Sequence, residues 1–180
     1  MLRTLFWVMA GIGLGVIVHL VVILTLPTLA QTNIWTRISQ YDNVEKVVVL
    51  EEISGQSEND LHLDPELVYG VCRLDLSKGV GVVNARLPDG FWSVSVFDAL
   101  GRAVYGTTNR SGVGQVLQLG IFNPEQTKLL ASQQLDIAEG LLIVEAEIDD
   151  VFVVIRLAPP HSAMRARYER ALEQVMCTHS

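Results

Sequence analysis

The side chains able to do chemistry are few and scattered. Asp75, Asp89 and Asp98 each stand at the end of an apolar, alternating run. Two carboxylates within ~10 Å of one another can share acid and base roles in hydrolysis, which makes Asp75 and Asp98 the pair a hydrolase would use. Aspartate at strand ends more often accepts hydrogen bonds from its own turn, and that is the expected role here, so no catalytic residue is assigned. Tyr69, Trp92 and Tyr105 offer a possible ligand face, although alternating aromatics also suit a core. Glu58, Asp60, His62 and Asp64 place three oxygens and an imidazole in one polar loop. Such a set can hold a divalent ion, but a solvated acidic loop is the commoner outcome and no metal is expected. His161 and His179 are isolated. There is no Gly-x-Ser-x-Gly, no His-Glu-x-x-His, no phosphate-binding loop and no dinucleotide fingerprint, so no cofactor is expected.

Cys72 and Cys177 are the two cysteines. In an oxidising compartment they form a disulfide closing a loop of about 105 residues, worth up to ~4.7 kcal/mol in the chain-entropy model. That bridge would pin a C-terminal helix to a strand. The alternative is a buried thiol at Cys72 and a free one near the C-terminus. Two cysteines this far apart make no zinc site by themselves.

These residues hang from one membrane-length stretch. Leu5 to Leu29 contains no Asp, Glu, Lys or Arg. As a helix it reaches ~37 Å, enough to cross a bilayer. A cleaved signal peptide has an apolar core of only ~7–15 residues, so residues 1–30 are read as a permanent anchor. Arg3 precedes the span and residues 30–36 carry no charge, which favours the N-terminus in the cytoplasm and the large domain outside. Gly11 and Gly15 form a Gly-x-x-x-Gly pair that permits a helix-mediated dimer. His19, mid-span, suits hydrogen bonding to a partner helix better than proton handling.

Arg3 is the sole charged residue of the first thirty, so the remainder holds 12 Lys and Arg against 20 Asp and Glu, a net −8. Such a domain does not seek nucleic acid or anionic lipid. Residues 31–45 form a juxtamembrane segment in which Ile34, Trp35 and Ile38 have helical spacing. Residues 46–180 suffice for one domain.

Alternation predicts strands over 46–53, 67–76, 81–87, 91–98, 102–107, 115–119, 141–147 and 151–157. Trp92, Val94 and Val96 share an inward face. Asp98 to Gly101 is a hairpin turn, and Asp149-Asp150 suggests a second hairpin. Asn123-Pro124-Glu125-Gln126 starts a helix running to about 134. Ser162 is expected to cap a last helix whose Met164, Tyr168, Ala171, Leu172, Val175 and Met176 share one face; its Arg165, Arg167, Glu169, Arg170 and Glu173 mark a solvated face rather than a basic stripe. The fold class is mainly β: an antiparallel sandwich or barrel-like domain with two peripheral helices, preceded by one transmembrane helix.

Asp64-Pro65-x-x-x-Tyr69, Val71-Cys72-Arg73-Leu74-Asp75-Leu76-Ser77-x-Gly79 and Pro88-Asp89-Gly90-Phe91-Trp92-Ser93-Val94-Ser95-Val96-Phe97-Asp98-x-x-Gly101 follow one another in order. Together with a His19-to-Pro27 exit from the span and Cys177, the set resembles the bacterial family called domain of unknown function 1254, in its short, membrane-anchored proteobacterial form. The resemblance implies a β-rich sandwich without established catalytic residues. It also implies a companion, because longer relatives carry a second domain, domain of unknown function 1214, on the same chain. The expectation is a single-pass envelope protein presenting a partner-binding domain. A small-molecule binding module and a hydrolase are the alternatives.

Overall fold

The computed structural model describes residues 2–29, 34–52, 59, 61–110, 115–132 and 140–180. The predicted apolar stretch is one helix, α1 (Leu2–Leu29). A second, short helix follows, α2 (Ile34–Ile38). The described residues then form nine strands in two sheets, and the protein is mainly β. The strands are β1 (Val48–Val49), β2 (Val68–Asp75), β3 (Gly81–Arg86), β4 (Trp92–Asp98), β5 (Ala103–Thr108), β6 (Val116–Phe122), β7 (Leu141–Glu145), β8 (Asp150–Leu157) and β9 (Met176–His179). Helix α3 (Pro124–Ser132) lies between β6 and β7, and α4 (Arg165–Glu173) between β8 and β9.

The first sheet runs β1-β2-β8-β4-β5 and the second β7-β6-β3-β9. Their inner faces share one core. Val68, Cys72 and Leu74 of β2, Trp92, Val94 and Val96 of β4, and Val151, Val153 and Ile155 of β8 meet Val83, Leu117, Leu119, Ile121 and Val144 of the second sheet. The period-two alternation that suggested the strands is the one that buries these residues. Helix α4 closes the β1–β2 side, burying Tyr168 and Leu172. Leu172 sits so close to Gly70 that a Cβ there would lie 3.2 Å from it, and Val47 would be 2.9 Å away.

Two turns need a backbone that glycine adopts readily. Gly101 has φ +79 in the β4–β5 turn, and Gly90 has φ +118 just before β4. The start of α3 is a reciprocal cap: Gln126 N donates to Asn123 Oδ1 at 2.9 Å, and Asn123 N donates to Gln126 Oε1 at 2.9 Å. Gln126 Nε2 also donates to Leu76 O at 2.8 Å, fastening α3 to the turn after β2.

Four expectations are corrected. Residues 141–157 are not a hairpin: β7 pairs parallel with β6, while β8 lies between β2 and β4 in the other sheet. The last helix ends at Glu173, and Met176 belongs to β9, where it is 60% exposed. Ser162 opens a 3-10 turn rather than capping α4, whose cap position is Met164. The first strand shrinks to Val48–Val49, with residues 53–58 outside the described residues.

Candidate functional site

Cys72 and Cys177 are bridged, with their Cα atoms 6.6 Å apart. Both are buried. The bridge joins β2 of one sheet to β9 of the other through the core. It therefore pins a C-terminal strand rather than the expected helix.

The carboxylates do not converge. Asp98 continues the inward face of β4 set by Trp92, Val94 and Val96, whereas Asp75 follows Tyr69, Val71 and Arg73 on the outward face of β2. Each is consumed by its own turn. Asp98 accepts from Leu100 N at 2.9 Å, Arg102 N at 2.9 Å and Arg102 Nε at 2.7 Å. Burial opposes its charge, but the hydrogen bonds and charge of Arg102 outweigh that and hold the carboxyl below its ordinary value. Asp75 accepts from the Ser77 hydroxyl at 2.5 Å, which outweighs burial; with Ser77 N–H and Lys78 it lowers this carboxyl too. Asp89 is exposed, its carboxylate held by Gln115 Nε2. Glu58 and Asp60 of the suggested ion loop lie outside the described residues, and no group of metal-binding side chains forms among the described ones.

Tyr69, Trp92 and Tyr105 do not make one face. Trp92 is 2% exposed inside the sandwich, and Tyr105, opposite Val96, packs against the same core. Tyr69 faces the other way, into a second apolar cluster with Ile38, Leu50, Val71, Phe152 and Val154, and its hydroxyl accepts from Asp64 N at 3.0 Å. Helix α2 covers this cluster. Trp35 lies 6.0 Å from the Phe152 ring, and Phe152 stacks on Phe97 at 5.1 Å. A cavity of about 80 Å³ remains beneath α2, lined by Ile34, Ile38, Tyr69 and Phe152 among others.

A larger feature escaped the sequence reading. A groove of about 490 Å³ opens where the end of β3, the turn into β4 and α4 meet. Arg86 enters it from β3, and Arg167 and Arg170 from α4. Tyr168 OH donates to Asp89 O at 2.7 Å and locks α4 against the turn, fixing the arginines relative to one another. Gly90 leaves room for that hydroxyl, which a Cβ would meet at 3.3 Å. The only local signal was Arg167 and Arg170 at i, i+3; Arg86 is brought in by the tertiary fold.

No family model matches the chain, and no curated protein does. Among solved structures, it is similar to the VPA0106 protein from Vibrio parahaemolyticus, with 12% identity and a TM-score of 0.52, over 65% of this chain and 28% of that one. It also matches an uncharacterised protein from Burkholderia cenocepacia, with 10% identity and a TM-score of 0.49, over 81% of this chain and 39% of that one. The chain thus spans well under half the length of either, and the first likeness speaks for the fold alone.

Proposed function

We propose that the chain is a single-pass protein of the bacterial inner membrane whose β-sandwich stands in the periplasm and binds a protein partner without catalysing a reaction. The observation that carries this is α1: over Leu2–Leu26 it has a mean hydropathy of 2.5 and none of it is buried against the rest of the molecule. An apolar helix of that length left bare in water has no stable resting place, and a bilayer supplies one. A cleaved signal sequence would be bare too, but its apolar core would be shorter. The Cys72–Cys177 bridge supports an oxidising compartment. The divergence of Asp75 and Asp98 leaves the hydrolase alternative without its pair. The resemblance to short, anchored members of the domain of unknown function 1254 family suggests the partner is a companion carrying domain of unknown function 1214. Gly11 and Gly15 add a route to a helix-mediated dimer.

A second reading, a small-molecule module, draws on the cavity beneath α2. Its volume of about 80 Å³ restricts it to a few carbon atoms.

The test has two arms in intact cells. A reporter active only in the periplasm, joined after Ser180, is expected to be active and to fractionate with membranes. Thiol alkylation is expected to find Cys72 and Cys177 bridged. Recovery of a freely soluble protein beginning near Gln31 removes the anchor and defeats the proposal.

A further inference from the structure

We propose that the arginine groove is where the partner docks, and that it takes an acidic polypeptide segment. This rests on the partner-binding reading above and gives it a location and a chemistry.

The charge distribution is the first argument. The chain is acidic, with a net charge of −7, yet three guanidinium groups are gathered around one depression. Lys46, Lys78, Arg102 and Arg165 each have a carboxylate within salt-bridge distance. Among the described residues, Arg86, Arg167 and Arg170 have none. Asp89 lines the groove, but its carboxylate is engaged by Gln115. Arginines held together without counter-charges repel one another, and an arriving oxyanion relieves that. Each planar guanidinium also presents donors matched to a carboxylate; Arg170 donates its Nε to Ala166 O at 3.1 Å and offers its Nη groups.

The second argument is continuity. Arg86 and Gln174 line both this groove and a neighbouring depression of about 340 Å³ along Val116, Gln118 and Met176. That depression runs over the outward face of the β7-β6-β3-β9 sheet, where Val116 is 49% and Met176 60% exposed. A free phosphate or a headgroup would use only the arginines. An occupant carrying carboxylates beside apolar side chains uses both, which selects a polypeptide.

Position is the third. The groove adjoins the start of β4, while Ile34 of α2 packs against Gly101, past its end. Seven strand residues separate the two by about 20 Å. The arginines therefore sit at the end of the sandwich remote from the segment that leads to the anchor, so the headgroups of its own bilayer are not the occupant.

The experiment uses the full chain in nanodiscs of neutral lipid and a fluorescent six-residue peptide of alternating Glu and Leu. An exposed Arg–carboxylate contact is worth about two- to fivefold in affinity, so the triple variant R86E/R167E/R170E is expected to bind at least about tenfold more weakly. Binding to the wild type should also fall as salt rises from low to several hundred millimolar. The single variant R86Q, at an exposed strand position, should weaken binding about two- to fivefold and guards against misfolding of the triple variant. Equal binding of a Gln-Leu control peptide, or an unaffected triple variant, overturns the proposal. Tripolyphosphate binding as tightly as the peptide shows a small-anion site instead, and arginine-dependent binding to phosphatidylglycerol vesicles shows a lipid site; either overturns it. Co-purification separates it from the broader reading. A companion retained equally by the triple variant sinks the groove and leaves partner binding standing. No companion on the wild type, with the peptide still bound in an arginine-dependent way, sinks partner binding and leaves the acidic-segment site.

Discussion

Removing the disulfide should cost this domain more than any single surface change. The double substitution C72A/C177A frees a loop of 105 residues in the unfolded chain. In the chain-entropy model, a loop near 100 residues is worth ~4.7 kcal/mol, with native disulfides of small secreted domains measuring roughly 2–5. Both cysteines are buried, so the two lost sulfurs add a cavity cost of about 1 kcal/mol. The entropic part dominates. It also has a place in the structure: among the described residues β9 pairs only with Gly81–Asn84 of β3 and is an edge strand, so the bridge is the side-chain cross-link that ties it to β2 of the other sheet. The assay is urea unfolding of the full chain in detergent, followed by near-ultraviolet circular dichroism, with hydrogen exchange in parallel. The expected loss is about 3–6 kcal/mol, with amides 176–179 opening before those of β8. A loss below about 1 kcal/mol would falsify the account. So would a large loss in which β9 stays as protected as the central strands, because the bridge would then not be what holds it.

Two further outcomes follow from the turn at the end of β4. Asp98 titrates below its ordinary value of 3.8, so its contribution is complete above that value and is lost as pH falls through the lower folded value. D98N should cost about 1–3 kcal/mol at neutral pH and flatten the acid-unfolding limb; an unchanged limb contradicts the assignment. Gly101 has φ +79, and a Cβ there would lie 2.9 Å from Ile34 Cγ2. G101V is expected to cost about 1–3 kcal/mol and to speed protease cutting at 34–38, whereas G106V, with no neighbour nearer than 3.8 Å, should leave cutting unchanged.

What could be read in advance was what local pattern encodes. The inward Trp92-Val94-Val96 face, the Asp98–Gly101 turn, the Asn123 cap and the apolar helix all depend on residues close in sequence. Alternation reports which side of a strand is buried but not which strand lies beside it. Hence 141–147 and 151–157 read as a hairpin in the sequence, although β7 and β8 belong to different sheets. The four residues of β9 were lost because Tyr168, Leu172 and Val175 continue a helical spacing that overruns the end of α4, and four residues are too few for period two to compete. Tyr69 and Trp92 looked alike because both are aromatics in alternating runs; their opposite faces appear only once β2 and β4 are each placed against β8. Arg86 has no local relation to Arg167 or Arg170, and nothing short of the tertiary fold brings them to one groove.

The outward face of the β1-β2-β8-β4-β5 sheet explains why the segment after α1 is more than a tether. Tyr69, Val71, Phe152 and Val154 make that face apolar, and left bare it would be an adhesive patch. Its cover comes from residues just beyond α1: Ile38 is 2% exposed against it, and burying such a side chain is worth about 1.5–3 kcal/mol. The guanidinium of Arg73 then fastens the cover. Its Nε donates to Asn43 Oδ1 at 2.7 Å, its Nη1 donates to Ser39 Oγ at 2.9 Å, and it lies 5.4 Å from the centre of the Trp35 ring. Backbone bonds from Arg73 N to Asn43 O and from Glu45 N to Arg73 O complete the attachment. Residues 34–45 are therefore part of the sandwich in packing and in hydrogen bonding. With only residues 30–33 between α1 and α2, a span of at most about 14 Å, a pull on the helix is delivered first to α2, where Ile34 meets Gly101 and Trp35 meets Phe152, and then to the Arg73 clasp.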